Sequence, residues 1–506
     1  MVIETARVYL IGAGPGDPEL LTLRGKRLLQ QAELVLYDYL VDPRVLAHAR
    51  AGAELVCLGR HGQGRLLSQE EVNQQMIGAA RAGKTVVRLK GGDPAIFGRL
   101  GEEIAALEAQ GIGYEVVPGV TAALGAGSYA GIPLTHREFA SSVAFVTGQQ
   151  CRDKQPEALD LEGLARFPGT LVFYMGVTTV DRWASGLIEH GKPADTPVAI
   201  VRRCSLPEQQ VLSTTLEQLP ELFASSKLRP PVVIIVGEVV YHRFRADWFA
   251  ERPLVGQSVM VTRPRHQSEE LVAQLAELGA ATWCQPAIEI SPPGDWGDVD
   301  EAIERLTEFD WLVFSSANGV RHFLDRLLAT GHDLRQLSGC RLASIGPATS
   351  EALADYRLKA DLEPETYRAE ALAAALQPVA VGQRVLLLRA NRGREVLAEL
   401  LTKAGASVEQ VVVYRSSDTQ QPESEIATAL AGGEIDWITV TSSAIARSLV
   451  RLFGDDLRRA RLAAISPLTA DVLAGAGYPA EVIASQYTTT GLVEAILQHA
   501  DRSAGA

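Results

Sequence analysis

Cysteine is scarce and scattered. Cys57, Cys151, Cys204, Cys284 and Cys340 are the five among 506 residues, and no two of them form a CxxC pair. That excludes a disulfide framework and a structural zinc site as organising features. Also missing is any apolar run near the roughly 20 residues that a membrane helix needs. The first residues carry no basic cluster ahead of their apolar stretch, so a cytoplasmic protein without membrane contact is expected. Positive charge is in deficit: 48 Lys+Arg face 61 Asp+Glu, a net charge of −13. The deficit lies mostly in the second half, since residues 1–250 hold 25 against 27 (−2) and residues 251–506 hold 23 against 34 (−11). A protein that grips nucleic acid through its phosphates needs the opposite balance, so no nucleic-acid partner is expected. An acidic small substrate is still admissible, because a few local arginines can bind carboxylates whatever the net charge.

What the chain does have is enough apolar residue for large cores. It is 47% hydrophobic and 22% charged, and its length calls for several domains. In the first half, short apolar runs at 8–14, 34–41, 85–92, 114–119, 142–148, 170–176, 197–203 and 232–240 read as strands. Amphipathic stretches such as LRGKRLLQQA and EEIAALEAQG lie between the early ones, which predicts an α/β fold with a largely parallel sheet. No strand period is visible around 241–255, and a new one starts at SVMVTRP. The expected division is therefore 1–245, a linker at 246–254, and 255–506.

The second half repeats itself. GQSVMVTRP at 256–264 matches GQRVLLLRA at 382–390, and DWLVFSSANGVRHF at 310–323 matches DWITVTSSAIARSL at 436–449. RLASIGPATSEAL at 341–353 then matches RLAAISPLTADVL at 461–473. Two copies predict two similar α/β lobes and not a solenoid, and a cleft between lobes is a favoured ligand site.

Several first-half strands end in glycine, where backbone can approach a ligand closely. GAGPGDP (12–18) lacks both the dinucleotide spacing and the Lys-Ser/Thr of a phosphate loop. It is joined by RLKGGDPAIFGRLGEE (88–103), VVPGVTAALGAGSYAGIPLTHR (116–137) and LVFYMGV (171–177). Together these four motifs resemble the tetrapyrrole methylase family over about residues 6–245, in the form found in uroporphyrinogen-III C-methyltransferases. The resemblance implies a two-lobed α/β fold that binds S-adenosylmethionine in the cleft between its lobes. It places Pro15, Gly91, Gly92, Asp93, Ile96, Thr121, Ala122 and Met175 around that cofactor, with Asp93 free to pair with its ammonium or ribose hydroxyls. It also implies Asp38 as the base that removes a proton after methyl transfer. Two positions depart from the family pattern. Arg60 stands where a proton-donating lysine is found; being always protonated, it is expected to bind a substrate carboxylate, as is Arg137. Cys204 replaces a glycine beside the cofactor, where its side chain would crowd the adenosyl group. His61 and His136 have no metal-ligand spacing, and no metal is expected.

In the second half the Ser/Thr-rich turns at 315–319, 441–443 and 488–490 suit helix N-termini, either as plain caps or facing anionic oxygens. From the residues alone this half is a bilobed binder of an acidic ligand. VTRP, FSSANGV, VVVYRS and the Tyr487-Thr488 segment resemble the uroporphyrinogen-III synthase family over about residues 255–500. That resemblance implies two lobes joined by a two-stranded connector, one of about 255–288 plus 418–502 and the other of about 291–414. It implies cyclisation of hydroxymethylbilane without a cofactor, with Tyr414 assisting loss of the hydroxyl. A phenol of pKa near ~10 is protonated at neutral pH and can donate. Arg263, Ser316, Arg389, Thr441, Ser442 and Thr488 are candidates for holding substrate carboxylates.

The expected whole is a bifunctional enzyme of tetrapyrrole biosynthesis, homodimeric through its methyltransferase half. Two other readings are a methyltransferase fused to a non-catalytic tetrapyrrole-binding or assembly module, and an RNA methyltransferase of the same fold. The absent basic stripe and the GAGPGDP form of the turn speak against the last.

Overall fold

Apolar runs with period-two or fully buried patterns become strands of four five-stranded sheets in a computed structural model. It describes residues 7–50, 52–59, 67–149, 159–226, 228–244, 247–393 and 395–504. The first sheet contains β1 (Val8–Gly12), β2 (Leu34–Tyr37), β3 (Glu54–Cys57), β4 (Val86–Lys90) and β5 (Tyr114–Val117), in the order β3-β2-β4-β1-β5. All its pairings are parallel. The five carboxyl ends therefore open on one edge, where open α/β sheets bind ligands. Apolar clusters cover both faces.

The second sheet contains β6 (Val143–Thr147), β7 (Thr170–Tyr174), β8 (Pro197–Arg202), β9 (Gln210–Thr215) and β10 (Val232–Val236), in the order β6-β7-β10-β8-β9. Only β6 and β7 run parallel; β10 is antiparallel to both β7 and β8, and β9 to β8. A largely parallel arrangement thus holds for the first sheet and fails for the second. The turn between β8 and β9 is shorter than the dozen or so residues a parallel crossover takes, so that pair can only be a hairpin. The sequence pattern also misses β3 and β9. Both are edge strands with half-exposed residues, so neither shows a buried run.

Contacts divide the chain into two compact units, Met1–Gly256 with Ala276–Ala281, and Gln257–Leu275 with Thr282–Ala506. The segment expected as a linker is described over 247–254 and packs on the first unit. Phe249 and Leu254 are buried, and the Phe249 ring meets Tyr129 edge-on at 4.9 Å.

The last two sheets explain the repeat. One has the order β12-β11-β18-β19-β20, with β11 (Ser258–Val261), β12 (Ala281–Cys284), β18 (Trp437–Val440), β19 (Arg461–Ala464) and β20 (Val482–Ile483). The other has the order β13-β17-β16-β14-β15, with β13 (Ile288–Ser291), β14 (Trp311–Phe314), β15 (Arg341–Ser344), β16 (Arg384–Ala390) and β17 (Ser407–Asp418). The trio β11-β18-β19 is the counterpart of β16-β14-β15, so matched sequence occupies matched positions. Side chains repeat as well. Asp436 accepts from the Ser258 amide and Asp310 from the Arg384 amide, each at 2.8 Å. Arg461 lies over Trp437 at 4.6 Å, and Arg341 over Trp311 at 4.3 Å. Strands β13 and β17 pair antiparallel from Ile288–Asp418 to Ser291–Arg415, where the chain passes between the two lobes.

Candidate functional site

In the first unit, three strand ends meet backbone to backbone. Gly14 and Gly92 form an antiparallel bridge, with N–H···O distances of 2.7 and 3.2 Å. A Cβ on Gly12 would lie 2.6 Å from both the Gly119 amide nitrogen and the Gly92 carbonyl oxygen. Asp93 holds this crossing together: its carboxylate accepts from the Ala95 amide at 2.8 Å and the Gly119 amide at 2.9 Å. The turn carries Gly91, Gly92, Asp93 and Ile96, and the Ile96 amide donates to the Asp93 carbonyl. Gly92 is left-handed (φ 69°), a conformation glycine adopts without penalty.

This turn faces the start of the helix Ala122–Tyr129, since a Cβ on Gly92 would lie 3.7 Å from the Ala122 amide nitrogen. Thr121, directly before that helix, is buried, and its hydroxyl meets the Tyr174 phenol at 2.7 Å. The same phenol accepts from the Ala123 amide at 2.8 Å. Met175 follows with a left-handed backbone (φ 50°), and the residue is 48% exposed. For a non-glycine residue that backbone geometry is uncommon. Pro15 packs on the same helix, 2.7 Å from where a Gly125 Cβ would sit. Pro15, Gly91, Gly92, Asp93, Ile96, Thr121, Ala122 and Met175 thus share one locale, and Tyr174 joins them. Tyr174 escaped the sequence reading because an aromatic inside LVFYMG looks like core.

Cys204 does not reach outward. It is buried, its thiol points to the Ala122 carbonyl at 3.8 Å, and burial pushes the thiol pKa up to about 12. It packs against the helix Ala122–Tyr129, its Sγ 3.6 Å from where a Gly125 Cβ would sit. The residues fit S-adenosylmethionine: backbone groups at a helix N-terminus and glycine turns offer polar contacts, and Leu40, Phe97, Leu124 and Met175 offer exposed apolar surface. Asp38 stands at the carboxyl end of β2 and accepts from Arg88 Nη2 at 2.6 Å. Arg137 is exposed on the turn closed by the His136–Ala140 bridge, and no described contact joins it to the glycine turns. Arg60 and His61 lie outside the described residues.

In the second unit, Tyr414 on β17 is only 7% exposed, and burial raises its phenol pKa. Its hydroxyl lies 3.0 Å from Ser316 Oγ, which also caps the helix Ala317–Ala329 by accepting from the Gly319 amide at 3.0 Å. His322 of that helix stacks on the Tyr414 ring with centroids 5.7 Å apart. Gln267, from the other lobe, donates to Asn318 Oδ1 at 2.5 Å. Arg263 and His266 lie beside it. Burial lowers the pKa of both, and the field of Arg321 lowers them further. His322 thus packs on the phenol ring, while Arg263 and His266 of the other lobe lie in the field of Arg321.

A cleft of about 460 Å³ is lined by Arg392, Gly393, Ala444, Arg447 and Arg451. Arg392 acts on Tyr414 electrostatically, lowering its pKa against the larger effect of burial. Arg392 Nη1 donates to Asp418 at 2.6 Å, and Ser448 and Arg451 also donate to Asp418. Arg389, the arginine expected here, is held by Glu395 (2.6 Å) and Gln410 (2.7 Å). Ser442 caps the helix Ser443–Phe453 by accepting from the Ile445 amide at 3.2 Å, with Thr441 one residue before it. Thr488 accepts from the Gly491 amide at 3.1 Å at the start of the helix Thr489–Ala504. The Ser442 and Thr488 hydroxyls act as caps. Among the described residues, no group of three or more His, Cys, Asp or Glu side chains is placed to hold a metal.

Two family models match separate stretches of the chain. Residues 7–220 match the family model of the Tetrapyrrole (Corrin/Porphyrin) Methylases, and residues 269–494 that of Uroporphyrinogen-III synthase HemD. The chain is 34% identical over 454 residues to the Porphyrin biosynthesis protein HemD of Ruminiclostridium josui, covering 90% of each. It is 36% identical over 380 residues to the Uroporphyrinogen-III C-methyltransferase of Bacillus subtilis, covering 75% of this chain and 74% of that one. A crystal structure of uroporphyrin-III C-methyl transferase from Thermus thermophilus complexed with S-adenyl homocysteine is 45% identical, covering 47% of this chain and 100% of that chain, with a TM-score of 0.41. The chain belongs to the family in which a tetrapyrrole methylase is followed by a uroporphyrinogen-III synthase, and it is a bifunctional protein of tetrapyrrole biosynthesis.

Proposed function

We propose that the second half closes hydroxymethylbilane to uroporphyrinogen III with inversion of the last pyrrole ring, and that the first half methylates this product twice to precorrin-2. The observation that carries the reading is the presence, in one chain, of a glycine-turn site fitted to S-adenosylmethionine and a buried tyrosine beside an arginine-lined cleft. The reactions are consecutive: the product of one is the substrate of the other.

In the synthase half, Tyr414 donates a hydrogen bond to the departing hydroxyl and is itself held by Ser316. Arg392, Arg447 and Arg451 take substrate carboxylates, and Arg263 and Arg321 add positive charge from the two lobes. No cofactor takes part in this half. In the methylase half, S-adenosylmethionine, when bound, would supply a methyl group to the nucleophilic ring carbon, with the sulfur keeping the C–S electron pair and leaving as the thioether. The Gly91–Gly92 turn, Thr121, Ala122 and Met175 hold the cofactor; Asp93 and Cys204 shape the site from behind. Asp38 accepts the proton that the macrocycle must lose, from an atom other than the methylated carbon, once the methyl group is attached. Because the substrate carbon is already nucleophilic, positioning supplies much of the rate. Arg60 and Arg137 bind substrate carboxylates, and the chain is a cytoplasmic homodimer through this half.

Incubation with hydroxymethylbilane, with and without S-adenosylmethionine, tests both halves. The expected products are precorrin-2 with the cofactor and uroporphyrinogen III without it. Uroporphyrinogen I alone, the spontaneous product, overturns the synthase reading. Unmethylated isomer III in the presence of the cofactor overturns the methylase reading.

A further inference from the structure

Behind Asp38 the first sheet buries three further charges. Arg88 and Lys90 on β4 and Glu103 on the helix Leu100–Glu108 have side chains 5%, 4% and 0% exposed, whereas Asp38 is 30% exposed. The four form an alternating chain. Arg88 Nη2 donates to Asp38 at 2.6 Å, Arg88 Nε donates to Glu103 at 3.0 Å, and Lys90 Nζ donates to both Glu103 oxygens at 2.8 Å. The remaining Arg88 nitrogen, Nη1, donates to the Leu89 carbonyl at 3.1 Å and approaches the Leu36 carbonyl at 3.5 Å. Every nitrogen of that guanidinium is engaged, so its plane is fixed.

Burying ions is costly, and well-packed apolar residues of similar size commonly replace such clusters without loss of stability. A cluster kept inside a sheet, with one member reaching solvent at the ligand edge, points to a role for that member. Glu103 is the hub. It alone touches both buried cations, and it lies in the first turn of its helix, where the helix dipole favours a carboxylate. Burial and the field of Arg88 both lower the Lys90 pKa, with Glu103 opposing them. Without the Glu103 charge, two adjacent cations would face each other, and Arg88, which cannot shed its proton, would lose the contact that sets its orientation.

We propose that Glu103 is a positioning residue for methyl transfer, holding Arg88 so that Arg88 in turn holds the Asp38 carboxylate at the edge of the site. This rests on the reading of Asp38 as the base. The test is steady-state methyl transfer to uroporphyrinogen III by the full chain carrying Glu103→Gln, with cofactor affinity measured by calorimetry. A misplaced catalytic group costs up to about 100-fold, so kcat is expected to fall about 10- to 100-fold. KM for both substrates and the S-adenosylmethionine Kd should stay within about twofold, and Glu103→Asp should recover part of the rate. An unchanged kcat, or a loss confined to KM and cofactor Kd, overturns the proposal. If Glu103→Gln does not fold, Arg88→Lys, which keeps the charge and loses the fork, is expected to show the same split, and its absence overturns the proposal equally. Asp38→Asn measured alongside separates the two readings. Full activity in Asp38→Asn sinks the base; an inactive Asp38→Asn beside a fully active Glu103→Gln sinks only the positioning role.

Discussion

Tyr414 owes its chemistry to its surroundings. Burial raises the phenol pKa, so the folded value lies above the unfolded one. Its contribution to stability is then fully present below the unfolded value near ~10 and is lost only as pH rises through the folded value. Between pH 6 and 9 neither stability nor cyclisation should titrate through this group. Tyr414→Phe keeps the ring, its stacking on His322 and most of its volume, and loses the donor. Its kcat for isomer III is expected to fall ~10²- to 10⁴-fold, with uroporphyrinogen I rising in its place. The stability cost should be only about 1 kcal/mol, one hydrogen bond to Ser316. A Phe variant that still yields isomer III at the parent rate would remove Tyr414 from the mechanism.

At the scale of elements, the glycine turns, the repeat and most of the strands were legible because each rests on local chemistry: period, turn residues and repeated words. Arg392 was not, because it lies in the turn after β16, where no strand period marks a face; the face that Tyr414 takes was hidden by a β-bulge. The β16–β17 ladder pairs Arg389 with Val412 and then Ala390 with Tyr414, so Val413 is the extra residue. Val413 and Tyr414 are consecutive and both buried, which breaks the alternation from which a sequence pattern tells one face from the other. Arg389, ahead of the bulge on the neighbouring strand, meets Glu395 and Gln410, and an arginine in the following turn lines the cleft. The ion cluster around Glu103 was hidden for a related reason: RLK and GEE look like ordinary solvated charge until the helix is laid against the sheet. Glycines separate the same way. Gly12→Ala would set a Cβ against backbone that cannot swing aside, so a loss of about 1–3 kcal/mol is expected together with weakened cofactor binding. Gly78→Ala, in the helix Gln69–Arg81 with nothing within 4 Å of the new Cβ, should gain about 0.5–1 kcal/mol. Thermal melts with and without S-adenosylmethionine check the pair, and a silent Gly12→Ala would contradict the tight crossing.

For the whole molecule, the difficulty is charge. Residues 251–506 carry −11, yet the proposed substrate, hydroxymethylbilane, is an octacarboxylate. Net repulsion acts over tens of ångströms, and at physiological ionic strength the Debye length is only about 8 Å, so most of it is screened before the substrate arrives. Contact attraction escapes that screening. An arginine–carboxylate pair at about 4 Å is worth roughly 1 kcal/mol in bulk water and about 4 kcal/mol at the effective dielectric of a protein surface. Arg392, Arg447 and Arg451 line one cleft, and Arg263 and Arg321 act together on His266. Even after competition from Asp418, which Arg392 and Arg451 already contact, several such contacts outweigh a screened monopole. The local term should therefore decide the sign of the salt dependence. KM for hydroxymethylbilane is expected to rise as potassium chloride goes from about 50 to 500 mM, with kcat nearly constant. Arg447→Gln should raise KM severalfold and flatten that rise. If KM falls with added salt instead, the net charge governs capture and the arginine cleft is not where the carboxylates go.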